Sequence, residues 1–181
     1  NQAVLLATIL SRAGFEVAFI VYYEKRIELS YVERLKKNNI RIIKIRGIGI
    51  FKFINLFRTL KSDFPDMLIN YLLLPNVIGG LCARFLGICS IGGIRSSSLS
   101  KKKIIFNKLA LRYINHKTIF NNYSAVKRYF NKARDKKRAI VIPNAIEAPE
   151  PIARAKKGII TILSVGRFEV VKDYPTALLA I

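Results

Sequence analysis

The strongest constraint on this chain is the regular exchange, along most of its length, between strand-length apolar runs and apolar residues at helical spacing. Val4, Leu5, Ala7, Thr8, Leu10 and Ser11 follow a helical pattern, and Gly14 stands where a helix C-cap is wanted. Residues 15–22 read as a strand. Leu29, Val32 and Leu35 mark a helix, and residues 40–45 the next strand. Phe51, Ile54, Phe57 and Leu60, three and four apart, mark a helix ahead of a strand at 66–72. Pro75 predicts the opening of a helix that closes at Gly87, with Pro in the first turn and Gly past the last. After a strand at 88–94, a polar stretch from Arg95 to Lys103 leads into a helix carrying Ile104, Ile105, Leu109 and Leu111. A strand at 118–121, a helix at 125–130 and a strand at 139–142 complete the series. Parallel neighbours need a crossover between them, so this order predicts an α/β fold with a doubly wound parallel sheet. The series opens inside a helix, and one strand of that sheet is expected ahead of it.

From Pro143 to Gly158 the composition shifts to Pro, Ala and charged residues, with no strong periodicity. That is how an interdomain linker reads. A new apolar run at 159–165 reads as a strand, Gly166 and Arg167 as a turn, and 174–181 as the start of a helix. The expected organisation is therefore a first domain over 1–143, a linker over 144–158, and the opening of a second α/β domain over 159–181. The start, Asn1-Gln2-Ala3, lacks Met and a basic leader, which leads us to expect a natural N-terminus upstream and no secretory signal.

Fifty-one per cent of the residues are hydrophobic and mean hydropathy is +0.25, enough apolar material for a buried core and against disorder. Lys and Arg number 32 against 11 Asp and Glu, a net charge of +21. Nucleic acid, an anionic membrane surface and phosphorylated substrates all fit that field. The cations are dispersed and no nucleic-acid-binding motif occurs, so nucleic acid is the less favoured partner. A basic nucleic-acid-binding α/β protein without enzymatic activity is the alternative function. A dinucleotide-binding enzyme lacks its Gly-x-Gly-x-x-Gly here. Cys82 and Cys89 stand seven apart with no Cys-x-x-Cys, the pattern of small buried hydrophobes rather than a metal or redox site. From Met67 to Ile94 only Arg84 is charged, yet Asn70, Pro75, Asn76, Gly79 and Gly80 divide the stretch into pieces too short to span a bilayer as one helix. His116, the sole histidine, reads as a surface or helix-capping residue.

The sharpest local pattern is Ser164-Val165-Gly166-Arg167-Phe168-Glu169-Val170-Val171-Lys172-Asp173. Ligands of open α/β sheets sit beyond the C-terminal ends of strands, and here a glycine and two cations occupy such an end just ahead of a helix start. Gly166 lets the backbone approach a phosphate, Arg167 can fork onto two phosphate oxygens, and Lys172 adds a mobile point charge.

This loop, with Val141-Ile142-Pro143-Asn144-Ala145-Ile146-Glu147 some twenty residues earlier, resembles the family 4 glycosyltransferases of GT-B fold. Those enzymes join two Rossmann-like domains through an Ile-Pro-Asn-Gly-Ile-Asp segment and continue Val-Gly-Arg, four variable residues, Lys. Leu6-Ala7, Gly14-Phe15-Glu16-Val17, Leu74-Pro75-Asn76, Leu86-Gly87, Ile94-Arg95-Ser96 and Asn122-Tyr123-Ser124-Ala125-Val126 resemble the family elsewhere. Ala145, Glu147 and Tyr123 depart from its usual Gly, Asp and Ser, and no histidine follows Asn70-Tyr71-Leu72.

The resemblance implies transfer of a hexosyl unit from a nucleotide-diphosphate sugar to a glycan or lipid-linked acceptor, with retention and without an essential metal or other cofactor, in bacterial surface polysaccharide synthesis. It makes Gly166, Arg167 and Lys172 the donor-diphosphate contacts. Arg95, Asn76 and Asn144 are candidate contacts in the interdomain cleft; a helix-capping role is the other reading of Asn76. The expected catalytic acidic residues lie beyond Ile181, so the 181 residues alone are expected to be inactive. Family members that use lipid-linked acceptors sit on the cytoplasmic face of the inner membrane. Lys101, Lys102 and Lys103 with Arg95, and Lys127, Arg128, Lys132, Arg134, Lys136, Lys137 and Arg138, are the clusters expected to meet anionic headgroups.

Overall fold

The computed structural model describes residues 2–23, 28–94, 101–130, 132–146, 162, 163, 166 and 173–180. They divide into two compact units, Asn1–Ile146 and Glu147–Ile181.

The first unit runs α1 (Gln2–Arg12), β1 (Ala18–Val21), α2 (Leu29–Lys37), β2 (Arg41–Lys44), α3 (Gly49–Asp63), β3 (Met67–Tyr71), α4 (Leu73–Leu86), β4 (Cys89–Ile94), α5 (Lys101–Leu109), β5 (Lys117–Phe120), α6 (Tyr123–Tyr129), α7 (Ala133–Lys136) and β6 (Ala139–Val141). Every strand pairing is parallel, and the strands fall into a β1-β2 pair and a β3-β4-β5-β6 sheet. A common doubly wound order is 3-2-1-4-5-6. Removing strand 1 from it leaves a 3-2 pair and a separate run from strand 4 onwards, which is the division seen here.

One apolar cluster joins the two sheets. Leu56 and Leu60 of α3, Cys82 and Ala83 of α4, Ile45 and Ile88 pack with Ile20 of β1, Ile43 of β2 and Leu68 of β3. A second cluster sets Val4 and Ala7 of α1 against Leu35, Ile40, Phe19 and Ile42. A third gathers Phe120, Phe130, Tyr129, Leu111 and Ile94 around β5 and α6. Burying a side chain of this size stabilises by roughly 1.5–3 kcal/mol.

Local sequence explains most helix ends. Gly14 and Gly87 take left-handed backbone angles, φ 90° and 74°, just past α1 and at the end of α4. Asn122 caps α6 by accepting the Ala125 N–H at 2.7 Å. Helix α4 starts at Leu73, two residues before the position expected from Pro75, and the proline still falls in the first turn, where its missing N–H breaks no helical bond.

Other expectations are corrected. The strand at 15–22 shrinks to Ala18–Val21, because the chain leaves the Gly14 turn with Phe15 exposed. Phe51, Ile54, Phe57 and Leu60 lie on α3 as their spacing predicts; Leu56 and Leu60 are its buried residues, with Phe57 packed against the same cluster, whereas Phe51 is 69% exposed. Helix α5 passes into a π-helical turn, Ala110–Ile114, closed by the Asn115 N–H on Ala110 C=O at 3.0 Å. Arg138 donates to the carbonyls of Arg112, Asn115 and His116, a cation placed on the negative end of that helix.

In the second unit, Ile162 and Leu163 are exposed and outside any strand, and the rest of the strand expected over 159–165 lies outside the described residues. Helix α8 (Tyr174–Leu179) begins with Pro175 in its first turn, near the expected start.

Candidate functional site

Since β3 to β6 run parallel, their C-terminal ends, Tyr71, Ile94, Phe120 and Val141, lie along one edge, where open α/β sheets hold ligands. Past β6 the chain is fastened before it leaves the unit. The Gln2 side chain donates to the Ala145 carbonyl and accepts the Ala145 N–H, the latter at 3.1 Å, so residues 142–146 are tied to the start of α1. Asn144 lies in this fastened segment and is exposed.

Behind the edge lies a polar network of neutral side chains. Asn76 on α4 is fully buried; its amide donates to Gly93 C=O at 3.2 Å and accepts Gly93 N–H at 3.1 Å, as a neighbouring peptide would. It also donates to Asn107 on α5 at 3.3 Å. Asn115 donates to the carbonyls of Asn76 and Ala110 at 3.0 and 3.2 Å and accepts from Ser90 at 3.2 Å and from Asn70 at 3.4 Å. These bonds satisfy groups whose burial unpaired would be destabilising. They also bind the last residues of β4 to α4, α5 and the π-helical turn.

Glycines make the close approach possible. A Cβ on Gly79 would stand 2.2 Å from the Asn70 amide oxygen, and one on Gly93 would stand 2.8 Å from the Asn70 carbonyl oxygen.

Of the candidate cleft residues, Asn76 therefore neither caps a helix nor faces an open cleft. The N-cap of α4 is Leu72, and the Asn76 side chain holds the end of β4 from within the core. Arg95, Arg167 and Lys172 lie outside the described residues, while Gly166 is described as an exposed bend. Within the basic clusters, Lys127, Arg128, Lys132, Lys136 and Lys137 are exposed, whereas Arg138 is withdrawn to its three carbonyls and Arg134's side chain is outside the described residues. His116 is exposed and accepts the Ser90 N–H at its Nδ1, 3.1 Å away.

Cys82 is enclosed in the core, and burial pushes its thiol up to about 11. The group belongs to the packing, as its sequence context suggests. A depression lined by Lys108, Arg112, Tyr129, Phe130, Lys132 and Asp135 lies at the far end of α5, towards the start of β5 rather than the ligand edge. Arg112 and Asp135 pair across it at 3.4 Å. Among the described residues no His, Cys, Asp and Glu cluster could hold a metal ion.

Sequence reasoning missed Asn70, Asn107, Asn115 and Ser90. The available signal was asparagine and glycine recurring in the otherwise apolar stretch 67–94.

The fold has known counterparts. Crystal structures of HepE (Alr3699) of Anabaena, one in complex with UDP and glucose and another with UDP-glucose, match with TM-scores of 0.65 and 0.64 at 11% identity. The first match covers 81% of this chain and 42% of HepE, the second 80% and 41%. MurG of Acinetobacter baumannii matches with a TM-score of 0.56 at 17% identity, over 81% of this chain and 42% of MurG. The chain thus has the parallel α/β architecture of GT-B glycosyltransferases and spans about two-fifths of the length of these structures. No protein-family model matches it, and no curated protein matches it in sequence.

Proposed function

We propose that these residues belong to a family 4 glycosyltransferase that moves a hexosyl unit from a nucleotide-diphosphate donor to a glycan or lipid-linked acceptor. In this reading 1–143 form the acceptor-side domain, 144–158 the linker, and 159–181 the opening of the donor-side domain. The observation that carries it is a GT-B-type parallel sheet in the same chain as the Gly166-Arg167…Lys172 loop. That HepE was crystallised with UDP-glucose supports a nucleotide-sugar donor.

When the bond from the anomeric carbon to the diphosphate oxygen breaks, negative charge grows on the departing diphosphate. Without a metal, fixed cations must stabilise it, and Arg167 and Lys172 supply them beside the backbone of Gly166. Arg95 and Asn144 are the candidate contacts of the interdomain cleft, to donor phosphate or acceptor, while Asn76 holds the end of β4 from within the core. The sugar is transferred with retention in bacterial surface polysaccharide synthesis, on the cytoplasmic face of the inner membrane. Lys101–103 and the exposed cations of 127–137 attract anionic lipid there.

In the complete enzyme, Arg167→Ala and Lys172→Ala should each lower turnover about a hundredfold, roughly 3 kcal/mol of barrier. The thermal midpoint should barely move, because in this reading both cations serve the ligand rather than the fold. Near-wild-type kinetics in both variants would reject the clamp. Sugar transfer by residues 1–181 alone would reject the division of labour between the domains.

A further inference from the structure

The depression at the far end of α5 holds two polar groups that the fold leaves without partners. Tyr129, at the end of α6, is only 3% exposed. Its ring packs against Phe120, centroids 6.0 Å apart, and its hydroxyl lies beside Asn107 of α5, whose Oδ1 already accepts from Asn76. Among the described residues that hydroxyl makes no hydrogen bond. Arg112 Nε, also buried, stands 3.4 Å from Asp135 Oδ1 but out of hydrogen-bond alignment. A buried donor left unpaired is destabilising, and in a native fold it points to a bound group or a function.

Size and charge narrow the choice of ligand. The cavity has a volume of about 190 Å³. A water molecule takes up about 30 Å³ in the liquid, so this space suits a group of about six water-sized atoms. Pockets for whole organic ligands run to about 300–1,000 Å³, which rules out a nucleotide sugar here. Lys108, Arg112 and Lys132 line the cavity with Asp135, leaving a surplus of two positive charges. Arg112 and Asp135 balance one another, so the surplus belongs to Lys108 on α5 and Lys132 between α6 and α7. Burial raises the Tyr129 pKa, so its phenol keeps the proton and can donate. The ligand is thus small, anionic and rich in acceptors. Its donors come from three elements, whereas a carboxylate offers two oxygens in one plane; a tetrahedral oxyanion meets all of them.

We propose that Lys108, Arg112, Lys132 and the Tyr129 hydroxyl bind a phosphoryl group, as inorganic phosphate or at the end of a small ester. The site shares no residue with the Gly166-Arg167…Lys172 loop and lies away from the C-terminal edge of β3 to β6. It does not rest on sugar transfer, and its test reads binding rather than turnover. A group held there joins α5 to the segment between α6 and α7.

Calorimetric titration of the complete chain with inorganic phosphate, and separately with glycerol 3-phosphate, should show saturable binding of at least one, and the tighter of the two identifies the source. Tyr129→Phe keeps the ring in its packing and removes only the hydroxyl. It should weaken that binding about tenfold, as expected for one bond to a charged acceptor, yet hold or raise the thermal midpoint measured without phosphate, because an unpaired buried donor is gone. Lys132→Gln should weaken binding to a similar extent, and Arg167→Ala should leave it intact. A midpoint lowered by Tyr129→Phe would mean that the hydroxyl is already bonded within the fold, and would overturn the site. So would an affinity that neither Tyr129→Phe nor Lys132→Gln changes, which would spread the anion over the general basic surface, or binding lost in Arg167→Ala, which would assign it to the donor loop. Absence of saturable binding by both probes would overturn it as well.

Discussion

Asn76→Asp exchanges one NH2 group for an oxygen at a fully buried position, and the network around it dictates an unusual outcome. The wild-type amide makes three bonds, accepting from Gly93 N–H and donating to Gly93 C=O and Asn107 Oδ1. An ionised carboxylate in its place would keep the first and point a charged oxygen at two acceptors. Two lost bonds at about 1 kcal/mol each, with two buried acceptors left unpaired, give a destabilisation of roughly 3–5 kcal/mol. The protonated carboxyl regains one donated bond and no longer repels the carbonyl it meets. The folded pKa of the new group is therefore raised above the unfolded value of about 3.9 by burial and by facing acceptors.

A carboxyl with a raised folded pKa harms stability as pH climbs. The variant's deficit relative to wild type should be smallest below about pH 3.9, grow by about 1.4 kcal/mol per pH unit up to the folded pKa, and then level off. Urea unfolding of wild type and variant at pH 4.5 and pH 8 measures this as a difference of differences, which cancels the pH dependence of every other group. The deficit should be larger at pH 8 by about 2 kcal/mol or more. Asn76→Ala, with no ionisable group, should show a similar loss at both pH values. Equal deficits for Asn76→Asp at the two pH values would mean that the carboxylate reaches water, and the account of Asn76 as the buried clasp of β4 would fall.

Two further substitutions probe the same interior. Gly79→Ala gains about 1 kcal/mol of helix propensity but drives a methyl into the Asn70 amide, so thermal unfolding should show a net loss of about 1–2 kcal/mol. In an Asn70→Ala background the same change should become stabilising, and additive effects would show that the two sites do not meet. Cys82, its thiol pushed up to about 11, should resist iodoacetamide at pH 8 in the folded protein and react only on unfolding. Its raised pKa also means that its stabilising share is complete below about pH 9 and falls as pH rises towards 11; rapid alkylation of native protein at Cys82 would contradict its place in the core.

What was legible in the sequence was local. Alternating helical and strand periods gave the order of elements, and Gly14 and Gly87 gave helix ends, since each signal acts within a turn or two of where it stands. Asn76 was not legible, because its role depends on Gly93 and Asn107, 17 and 31 residues away. From the sequence alone an asparagine in the first turn of a helix reads as a cap, and only the register of β4 against α4 turns it inward. The π-helical turn was hidden likewise, being held by Arg138 from far along the chain. Phe51, Ile54, Phe57 and Leu60 marked α3 from the sequence, but periodicity shows that a helix exists and not how it is rotated about its axis: the sheet buries Leu56 and Leu60, Phe57 packs against that cluster, and Phe51, nearer the helix start, is left exposed.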